Sequence, residues 1–326
     1  MIRQLVCLES FDTDPYRNLA VERYLTLRAG PEACTLFLWQ NADTVVIGRN
    51  QNAWKECRIS LLEAEGGRLA RRLSGGGAVF HDVGNLNFSF IVRREDYDVP
   101  RQLSVIAAAC RSLGIAAVVT GRNDLTAAGR KFSGNAFFET REGCCHHGTI
   151  LIAADTDRMG RYLNVSREKL EAHSVASVRA RVGNLAALSP GLTPDVMRTA
   201  LRDAFAAVCG LPVTTPDPET LDRREIRELT AFFADPEWRY GRCADFTHRF
   251  SRRFDWGEAE LCLTVERGIV TDCVVWSDAL DPSFCPAAAD ALRGLPPAAE
   301  PLCAALAGCV TDPVCADLSA LIRDSL

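Results

Sequence analysis

The spacing of apolar and polar positions predicts helices and strands that alternate along the chain. Asp14 followed by Pro15 has the form of a helix N-cap with proline at the first helical position, and Gly30 is the expected end of that helix. Its predicted buried stripe consists of Leu19, Ala20, Tyr24 and Leu27. Further helices are predicted after Pro100 and from Thr193-Pro194 to Gly210.

Short apolar runs bounded by turn residues predict the strands of a sheet. The runs CTLFLWQ and TVVIG flank Asn41-Ala42-Asp43, and more strands are predicted over Ile115–Thr120, Lys131–Glu139 and His147–Ala153. Between Leu86 and Phe90 apolar residues alternate with Asn87 and Ser89, which predicts a half-buried strand.

The texture of the sequence changes after Leu211, where Pro, Thr, Asp and Glu become frequent. The later run ELCLTVERGIVTDCVVW predicts a hairpin that turns at Arg267-Gly268, and the remainder predicts helices rich in Ala and Leu. We therefore expect a large α+β domain to about residue 245 and a small α+β domain from about residue 255.

Composition narrows the class of protein. The chain has 326 residues, of which 48% are hydrophobic and 24% charged, as in a soluble globular protein. It has no apolar run of the ~18 residues that a membrane-spanning helix needs, and its N-terminus does not resemble a secretory signal. A cytoplasmic protein is expected. The net charge of −5 provides no basic field for nucleic acid or a membrane surface.

The 14 cysteines are scattered and form no CxxC pair, so zinc ribbons and thioredoxin-type sites are not supported. The adjacent Cys144 and Cys145 are expected to be packed thiols. The cationic residues say more about a possible site. Only three of the 37 are lysines, Lys55, Lys131 and Lys169, so each lysine is a candidate functional residue. Arginine is a planar fork, whereas lysine is a compact point charge on a flexible stem.

Three stretches carry candidate chemistry. In RRLSGGGAVFHDVGNLNFSF, the three glycines form either a mobile surface loop or a cradle whose bare backbone N–H groups bind a phosphate or carboxylate, and the neighbouring Arg71 and Arg72 favour the cradle. The stretch GRNDLTAAGRKFSGNAFF is either a solvated loop that leads into a strand or a site in which Lys131 bridges an acyl oxygen and a phosphate oxygen. In HHGTILIA, the two histidines are either one buried and one exposed residue or part of a catalytic site.

Taken in order, these motifs resemble lipoate–protein ligase A. The similarity also includes SVRARVGNL, FLWQNADTVVIGRNQNAWKEC and FTHRFSRRFDWGEAELCLTVERG, so it covers almost the whole sequence. The resemblance implies a large mixed-sheet catalytic domain of the biotin/lipoate ligase type over residues 1–245, and a small α+β accessory domain over residues 255–326.

The resemblance implies ATP-dependent activation of lipoate to lipoyl-AMP with release of pyrophosphate, then transfer of the lipoyl group to an acceptor lysine. Mg²⁺ is expected with ATP. The implied acceptors are lipoyl domains of 2-oxoacid dehydrogenase E2 subunits and the glycine-cleavage H protein. Because such acceptors are often acidic, a local basic surface that includes Arg179 and Arg181 is expected. The protein is expected to be a monomer.

The resemblance also implies roles for individual residues. Lys131 is the expected catalytic residue, contacting both the acyl carbonyl and the phosphate, and Asp124 is a candidate Mg²⁺ ligand. The residues expected to bind ATP or the adenylate are Arg72, Gly75, Gly76, Gly77, Ala78, Val79, Phe80, Asn123, Asp124 and Lys131. The residues expected to bind lipoate are Trp39, Arg72, His81, Lys131, Ser133, Gly134 and His147.

Three alternatives remain. An octanoyltransferase of the same fold would use a cysteine thioester, but GRNDLTAAG and GRYLNVSREK contain no cysteine. A biotin ligase would have a different adenylate loop from RRLSGGGAVFHD. A non-catalytic lipoate-binding protein that kept the fold is the third alternative, and the combination of Arg72, the glycine loop and Lys131 argues against it.

Overall fold

A computed structural model describes residues 2–120, 124–164, 182–241 and 246–326, and it confirms a mixed α+β fold. Residues 121–123 and 165–181 lie outside the described parts, and they include the predicted Asn123, Lys169, Arg179 and Arg181. The chain divides into two compact units. Unit 1 comprises Met1–Val46, Lys55–Ala70 and Val79–Arg239, and unit 2 comprises Ile47–Trp54, Arg71–Ala78 and Tyr240–Leu326. The glycine loop, residues 71–78, therefore belongs to the same unit as the C-terminal residues, although about 160 residues of sequence separate the two.

The strands are β1 Gln4–Glu9, β2 Ala33–Trp39, β3 Thr44–Ile47, β4 Arg68–Arg71, β5 Val79–His81, β6 Asn85–Val92, β7 Ala117–Thr120, β8 Asp124–Ala127, β9 Arg130–Glu139, β10 Cys144–Leu151, β11 Val213–Thr214, β12 His248–Phe254, β13 Gly257–Glu266 and β14 Ile269–Ser277. The α-helices are α1 Pro15–Leu27, α2 Ala53–Glu56, α3 Ile59–Ala64, α4 Val99–Ser112, α5 Thr156–Tyr162, α6 Pro194–Cys209, α7 Arg223–Ala234, α8 Pro236–Tyr240, α9 Phe284–Leu292, α10 Ala299–Ala307 and α11 Val314–Ser325.

Unit 1 is built on an eight-stranded mixed sheet in the order β11-β1-β2-β6-β10-β9-β8-β7. Strands β11, β1 and β2 are parallel neighbours, and the pairings from β2 to β7 are antiparallel. One face of this sheet packs an apolar core against α4 and α6, with residues such as Phe88, Phe90 and Phe205 at its centre. Strands β3, β4 and β5 form a separate sheet in the order β4-β3-β5.

Local capping chemistry sets several helix ends, as predicted. The Asp14 carboxylate accepts hydrogen bonds from the backbone N–H groups of Tyr16 and Arg17, with Pro15 opening α1. The helix ends at Leu27, before the expected Gly30, because Arg28 already serves as its C-cap. Gly210 ends α6 in the left-handed conformation, with a φ of 69°.

Strand β6 differs from the half-buried strand that its alternating sequence predicted, because all eight of its residues are buried. Leu86, Phe88 and Phe90 lie in the core, as expected. Asn87 and Ser89 are only 1% and 0% exposed. The prediction was wrong because β6 is a central strand whose polar face is also covered, so its polar side chains must find partners inside the protein.

Unit 2 contains the antiparallel sheet β12-β13-β14, which packs on α9, α10 and α11 around an apolar core that includes Leu261, Leu302 and Leu321. The predicted hairpin is β13–β14, and its turn residues Arg267 and Gly268 have positive φ values of 52° and 76°. Across the described parts of both units, no helix has the length and apolar character needed to cross a membrane.

Candidate functional site

The glycine loop, residues 71–78, is held by backbone hydrogen bonds within unit 2. Gly76 donates its N–H to the carbonyl oxygen of Ala279 at 2.8 Å, and Arg49 donates its N–H to the Ser74 carbonyl at 2.8 Å. A Cβ atom at Gly75 would overlap the Ala279 carbonyl oxygen and lie 2.6 Å from that of Leu280. Gly76 has a φ of 87°, a backbone conformation that is strained for any residue with a Cβ atom. Two of the three glycines are therefore required by the path of the backbone.

The sequence predicted that Arg71 offers hydrogen-bond donors to a ligand, and in the structure one of its guanidinium nitrogens binds the backbone. Its guanidinium is buried, and Nη1 donates to the carbonyl oxygens of Gly48, Arg49 and Gln51 at 3.2, 2.9 and 2.7 Å. It also lies over the indole ring of Trp276 in the same unit. Burial lowers the pKa of Arg71 to about 10, which leaves the group charged at neutral pH. This arginine thus fixes residues 48–51 beside the glycine loop.

Arg72 shapes the glycine loop from within. Its Nη2 donates to the carbonyl oxygens of Gly75 and Gly77 at 2.6 and 2.8 Å. Its Nε donates to the Ser74 hydroxyl at 3.0 Å. Because these bonds turn loop carbonyls toward the guanidinium, they pre-organise the loop backbone around a positive charge.

Lys131 forms an ion pair with Asp124 in unit 1, with 2.7 Å between Nζ and the carboxylate. A β-bulge shifts the register of β8 and β9, so that Thr126 pairs with Lys131 while Leu125 pairs with Ser133. The bulge brings the Lys131 side chain over Gly134, where a Cβ atom would lie 3.2 Å from both Cε and Nζ. With 42% of its side chain exposed, Lys131 offers an accessible point charge held by a carboxylate.

A row of residues crosses the sheet of unit 1 from Trp39 to Asp124, and we call it the central row. Trp39 pairs with Asn87, and Asn87 pairs with Thr149. The Gly134 N–H donates to Thr149 Oγ1 at 3.4 Å, and Gly134 pairs with Asp124. Neighbouring strands are ~4.8 Å apart, so Trp39 and Gly134 are separated by ~14 Å along the row. Trp39 is closed to solvent, whereas Gly134 and Thr149 are partly exposed.

Behind Trp39 lies a buried polar network whose hub, Glu22, the sequence analysis missed. Trp39 Nε1 donates to Ser89 Oγ at 3.0 Å, and Ser89 Oγ donates to Glu22 Oε1 at 2.6 Å. His147 Nδ1 lies 2.8 Å from the same carboxylate oxygen. Since a carboxylate only accepts, His147 carries its proton on Nδ1. One carboxylate on α1 thereby fixes residues of three other elements, β2, β6 and β10.

His81 lies on the other side of Trp39. Its ring makes an edge contact with the indole, with centroids 6.3 Å apart. His81 Nδ1 accepts from Asn41 Nδ2 at 3.1 Å, because Asn18 donates to Asn41 Oδ1 and so fixes the orientation of that amide. The neighbouring Asp82 accepts backbone N–H groups of Gly84 and Asp155, which makes it a structural residue.

The two adjacent histidines point to opposite faces of β10, and both are buried, so the interpretation with one exposed histidine was wrong. His146 is hydrogen-bonded to Gln102 and Asn135, each at 2.9 Å, on the core face. Burial lowers its pKa to about 3, so His146 is neutral at physiological pH. His147 alone belongs to the same face as Trp39.

Other predicted site residues have mainly structural surroundings. Phe80 is buried against Tyr162, and Val79 pairs with Val46 in β3. Ser133 is 1% exposed and pairs with the core residue Leu125. Ala78 is the last residue of the glycine loop and belongs to unit 2.

Among the described residues, the side chains whose possible metal ligands lie close together do not include Asp124. Glu22, Cys145 and His147 place their potential ligand atoms within 4.8 Å of one another. However, the Glu22 oxygen already accepts two hydrogen bonds, and burial raises the pKa of Cys145 well above its usual value. Asp124 offers one carboxylate, which fits Mg²⁺ only if phosphates and water complete its octahedral shell.

Two family models match this chain. The lipoyl protein ligase A/B catalytic domain matches residues 14–206, and the bacterial lipoate protein ligase C-terminus matches residues 244–318. The first match covers more than half of the sequence. The chain belongs to the lipoyl protein ligase A/B family. The resemblance seen in the motifs is therefore confirmed at the level of the family, and both of its parts are present.

Solved structures of lipoate ligases share the fold. LipL1 of P. falciparum in complex with lipoate is 25% identical, with a TM-score of 0.84 over 98% of this chain and 99% of that one. A bi-partite lipoate protein ligase from Thermoplasma acidophilum is 26% identical, with a TM-score of 0.65 over 76% of this chain and 100% of that one. A lipoate-protein ligase A bound with ATP is 25% identical, with a TM-score of 0.64 over 74% of this chain and 99% of that one.

Proposed function

We propose that this member of the family is an ATP-dependent lipoate–protein ligase that forms lipoyl-AMP and transfers the lipoyl group to an acceptor lysine. The observation that carries the proposal is Lys131, whose ammonium is held by Asp124 over the bare backbone of Gly134. A preorganised point charge at this position can stabilise negative charge that develops on an acyl or phosphate oxygen. Similar proteins whose structures contain lipoate or ATP support the choice of both substrates.

The first half-reaction makes lipoate a better acyl donor. A carboxylate oxygen of lipoate attacks the α-phosphorus of ATP, the bond to the bridging oxygen breaks, and pyrophosphate leaves. Both the attacking and the departing groups are anionic, so cationic groups and backbone N–H donors lower the barrier. The groups of this chain assigned to that task are Lys131 and, in the glycine loop, Arg72 and the backbone of residues 75–77.

The second half-reaction uses the mixed anhydride. The neutral amine of the acceptor lysine attacks the lipoyl carbonyl carbon, AMP leaves with the bonding electrons, and the amine loses a proton. Lys131 is assigned to the carbonyl oxygen, which gains charge in the transition state. With its reference pKa of about 10.4, the acceptor amine must be deprotonated before it attacks.

The remaining predicted site residues take supporting roles. Trp39 is assigned to the dithiolane end of lipoate, with His81 and His147 flanking it, while Ser133 and Gly134 lie nearer Lys131. Val79 and Phe80 would fix the strand that follows the loop, because both are paired or packed within unit 1. Asp124 is the candidate for one Mg²⁺ bond, and a bound Mg²⁺ would neutralise triphosphate charge. The role of Asn123 remains a prediction.

The described cysteines near this site favour an acyl-adenylate over a cysteine thioester. Cys144 and Cys145 are both buried, and burial raises the pKa of each thiol. The nucleophile in a cysteine acyltransferase is the thiolate, which a raised pKa disfavours. We therefore assign the acyl intermediate to AMP and not to sulfur.

Lipoyl domains of E2 subunits and the glycine-cleavage H protein are the proposed acceptors. The structural relative from Thermoplasma acidophilum was determined in a study of that ligase and its E2 lipoyl domain, which supports this class. A monomeric, cytoplasmic enzyme remains a prediction from the sequence. The test is incubation of a purified lipoyl domain with this protein, lipoate and ATP, followed by mass spectrometry of the intact domain.

We expect the mass of one lipoyl group to be added only when lipoate and ATP are both present. An acceptor domain with its target lysine replaced by arginine is the control and should remain unmodified. Modification that proceeds equally without ATP, from an acyl thioester donor, would contradict the proposed reaction.

A further inference from the structure

The middle of the central row contains a buried amide with an unused donor. Asn87 is 1% exposed, and its Oδ1 accepts from Asn85 Nδ2 at 2.9 Å. The bond leaves over one atom of each amide, Asn85 Oδ1 and Asn87 Nδ2. Within the described parts of the chain, Asn87 Nδ2 has no hydrogen-bond partner. A buried donor without a partner lowers the stability of the protein, so a role in binding a ligand would explain why this amide is present.

The position of Asn87 limits what it can touch. It is the direct neighbour of Trp39 on one side and of Thr149 on the other. Gly134, over which Lys131 Nζ lies, is two strands away, or about 10 Å. An acyl carbonyl held at Lys131 is therefore out of reach of the Asn87 amide. A group at the far end of an extended acyl chain, beside Trp39, is within reach.

We propose that Asn87 is a specificity residue that donates its amide N–H to a sulfur atom of the dithiolane ring and so selects lipoate over octanoate. This inference rests on the proposed function, because it assumes that the acyl carbonyl lies at Lys131. The dithiolane sulfurs are the sole hydrogen-bond acceptors in lipoate beyond its carboxylate. Divalent sulfur is a weak acceptor, yet it satisfies a donor that is otherwise unpaired.

The selectivity depends on whether the bound acid supplies an acceptor for the Asn87 N–H donor. Octanoate has the same carboxylate and a similar chain length, but its end is pure hydrocarbon. Bound octanoate would leave the already buried Asn87 donor without a partner, whereas bound lipoate would give it one. Sites that hydrogen-bond a substrate group discriminate strongly against analogues that lack it, and weakly by apolar size alone. For a weak sulfur acceptor, we expect discrimination of about tenfold.

The test compares kcat/KM for lipoate and octanoate in the wild-type protein and in Asn87→Leu, which has a similar shape and no amide. We expect the ratio of lipoate to octanoate to fall about tenfold, through loss of activity with lipoate and unchanged or increased activity with octanoate. The matched control is Gln102→Leu, because Gln102 is also buried but bonds His146 on the opposite face of the sheet. Its ratio should equal that of the wild type.

Equal losses for both acids in a folded Asn87→Leu protein would overturn the specificity role and reduce Asn87 to a structural residue. A second measurement does not depend on folding of the variant. The wild-type protein should bind lipoate about tenfold more tightly than its analogue with a cyclopentane ring in place of the dithiolane. Equal affinities would overturn the inference. A wild-type protein that activates neither acid would overturn the proposed function itself.

Discussion

Glu22 Oε1 and His147 Nδ1 lie 2.8 Å apart, and both side chains are almost closed to solvent. The same oxygen accepts from Ser89, which in turn accepts from Trp39. A single carboxylate on α1 thus organises the buried end of the central row. An acidic residue is tolerated in the interior here because Ser89 and His147 both form hydrogen bonds with its carboxylate.

Glu22→Gln should lower the stability of the protein. The amide oxygen can still accept, but the charge that strengthens both hydrogen bonds is lost, which should cost about 1–3 kcal/mol in the free energy of unfolding. The measurement is urea denaturation followed by tryptophan fluorescence. Glu142→Gln, an exposed change, should stay within about 0.5 kcal/mol of the wild type. A Glu22→Gln protein as stable as the wild type would show that the network contributes little.

Gly75 and Gly77 form a matched pair for testing the path of the loop. Gly75→Ala would force a Cβ atom into the carbonyl oxygens of Ala279 and Leu280, whereas Gly77→Ala meets no atom within 4 Å. We expect Gly75→Ala to lower the melting temperature of the transition that includes unit 2, at a cost of about 1–3 kcal/mol, and Gly77→Ala to leave it unchanged. Equal melting temperatures in differential scanning calorimetry would contradict the loop geometry described here.

Lys131 should be irreplaceable even by another cation. Lys131→Ala removes the point charge, and Lys131→Arg replaces it with a wider fork next to Asp124 and Gly134, so both should lose on the order of 10²–10³ in lipoylation rate. Lys55→Arg and Lys169→Arg should stay close to the wild type. The measurement is turnover at saturating lipoate and ATP, with folding checked by circular dichroism. Near-normal turnover in a folded Lys131→Arg protein would refute the role of this residue.

Truncation after Gly241 tests the importance of the C-terminal residues for the glycine loop. Without Ala279, the Gly76 N–H loses its backbone acceptor, and the loop loses its fixed path. We expect lipoate-dependent adenylation to fall by at least about tenfold, and transfer from synthetic lipoyl-AMP to fall less, because a supplied adenylate bypasses the first half-reaction. The two rates are compared in parallel assays. A truncated chain that adenylates lipoate at the normal rate would contradict this dependence.

Much of the fold could be predicted from the sequence because local chemistry determines it. The Asp14 cap and the Arg267-Gly268 turn depend on neighbouring residues alone. Glu22 could not be identified, since a glutamate within a helix normally faces solvent and its partners come from distant strands. The same is true of Arg71, whose backbone partners lie at residues 48–51. The glycine loop belongs to the same unit as the C-terminal residues because of contacts between residues that are distant in sequence. A local sequence pattern cannot predict such contacts.

The most direct test of adenylation at Lys131 is lipoate-dependent exchange of labelled pyrophosphate into ATP, measured without any acceptor protein. Exchange reports the reversible formation of lipoyl-AMP and nothing later in the reaction. Adenylation of lipoate at Lys131 requires that label enter ATP only when lipoate is present, and that Lys131→Ala reduce the exchange rate on the order of 10²–10³. A folded wild-type protein that catalyses no exchange, or that exchanges equally well without lipoate, would contradict it.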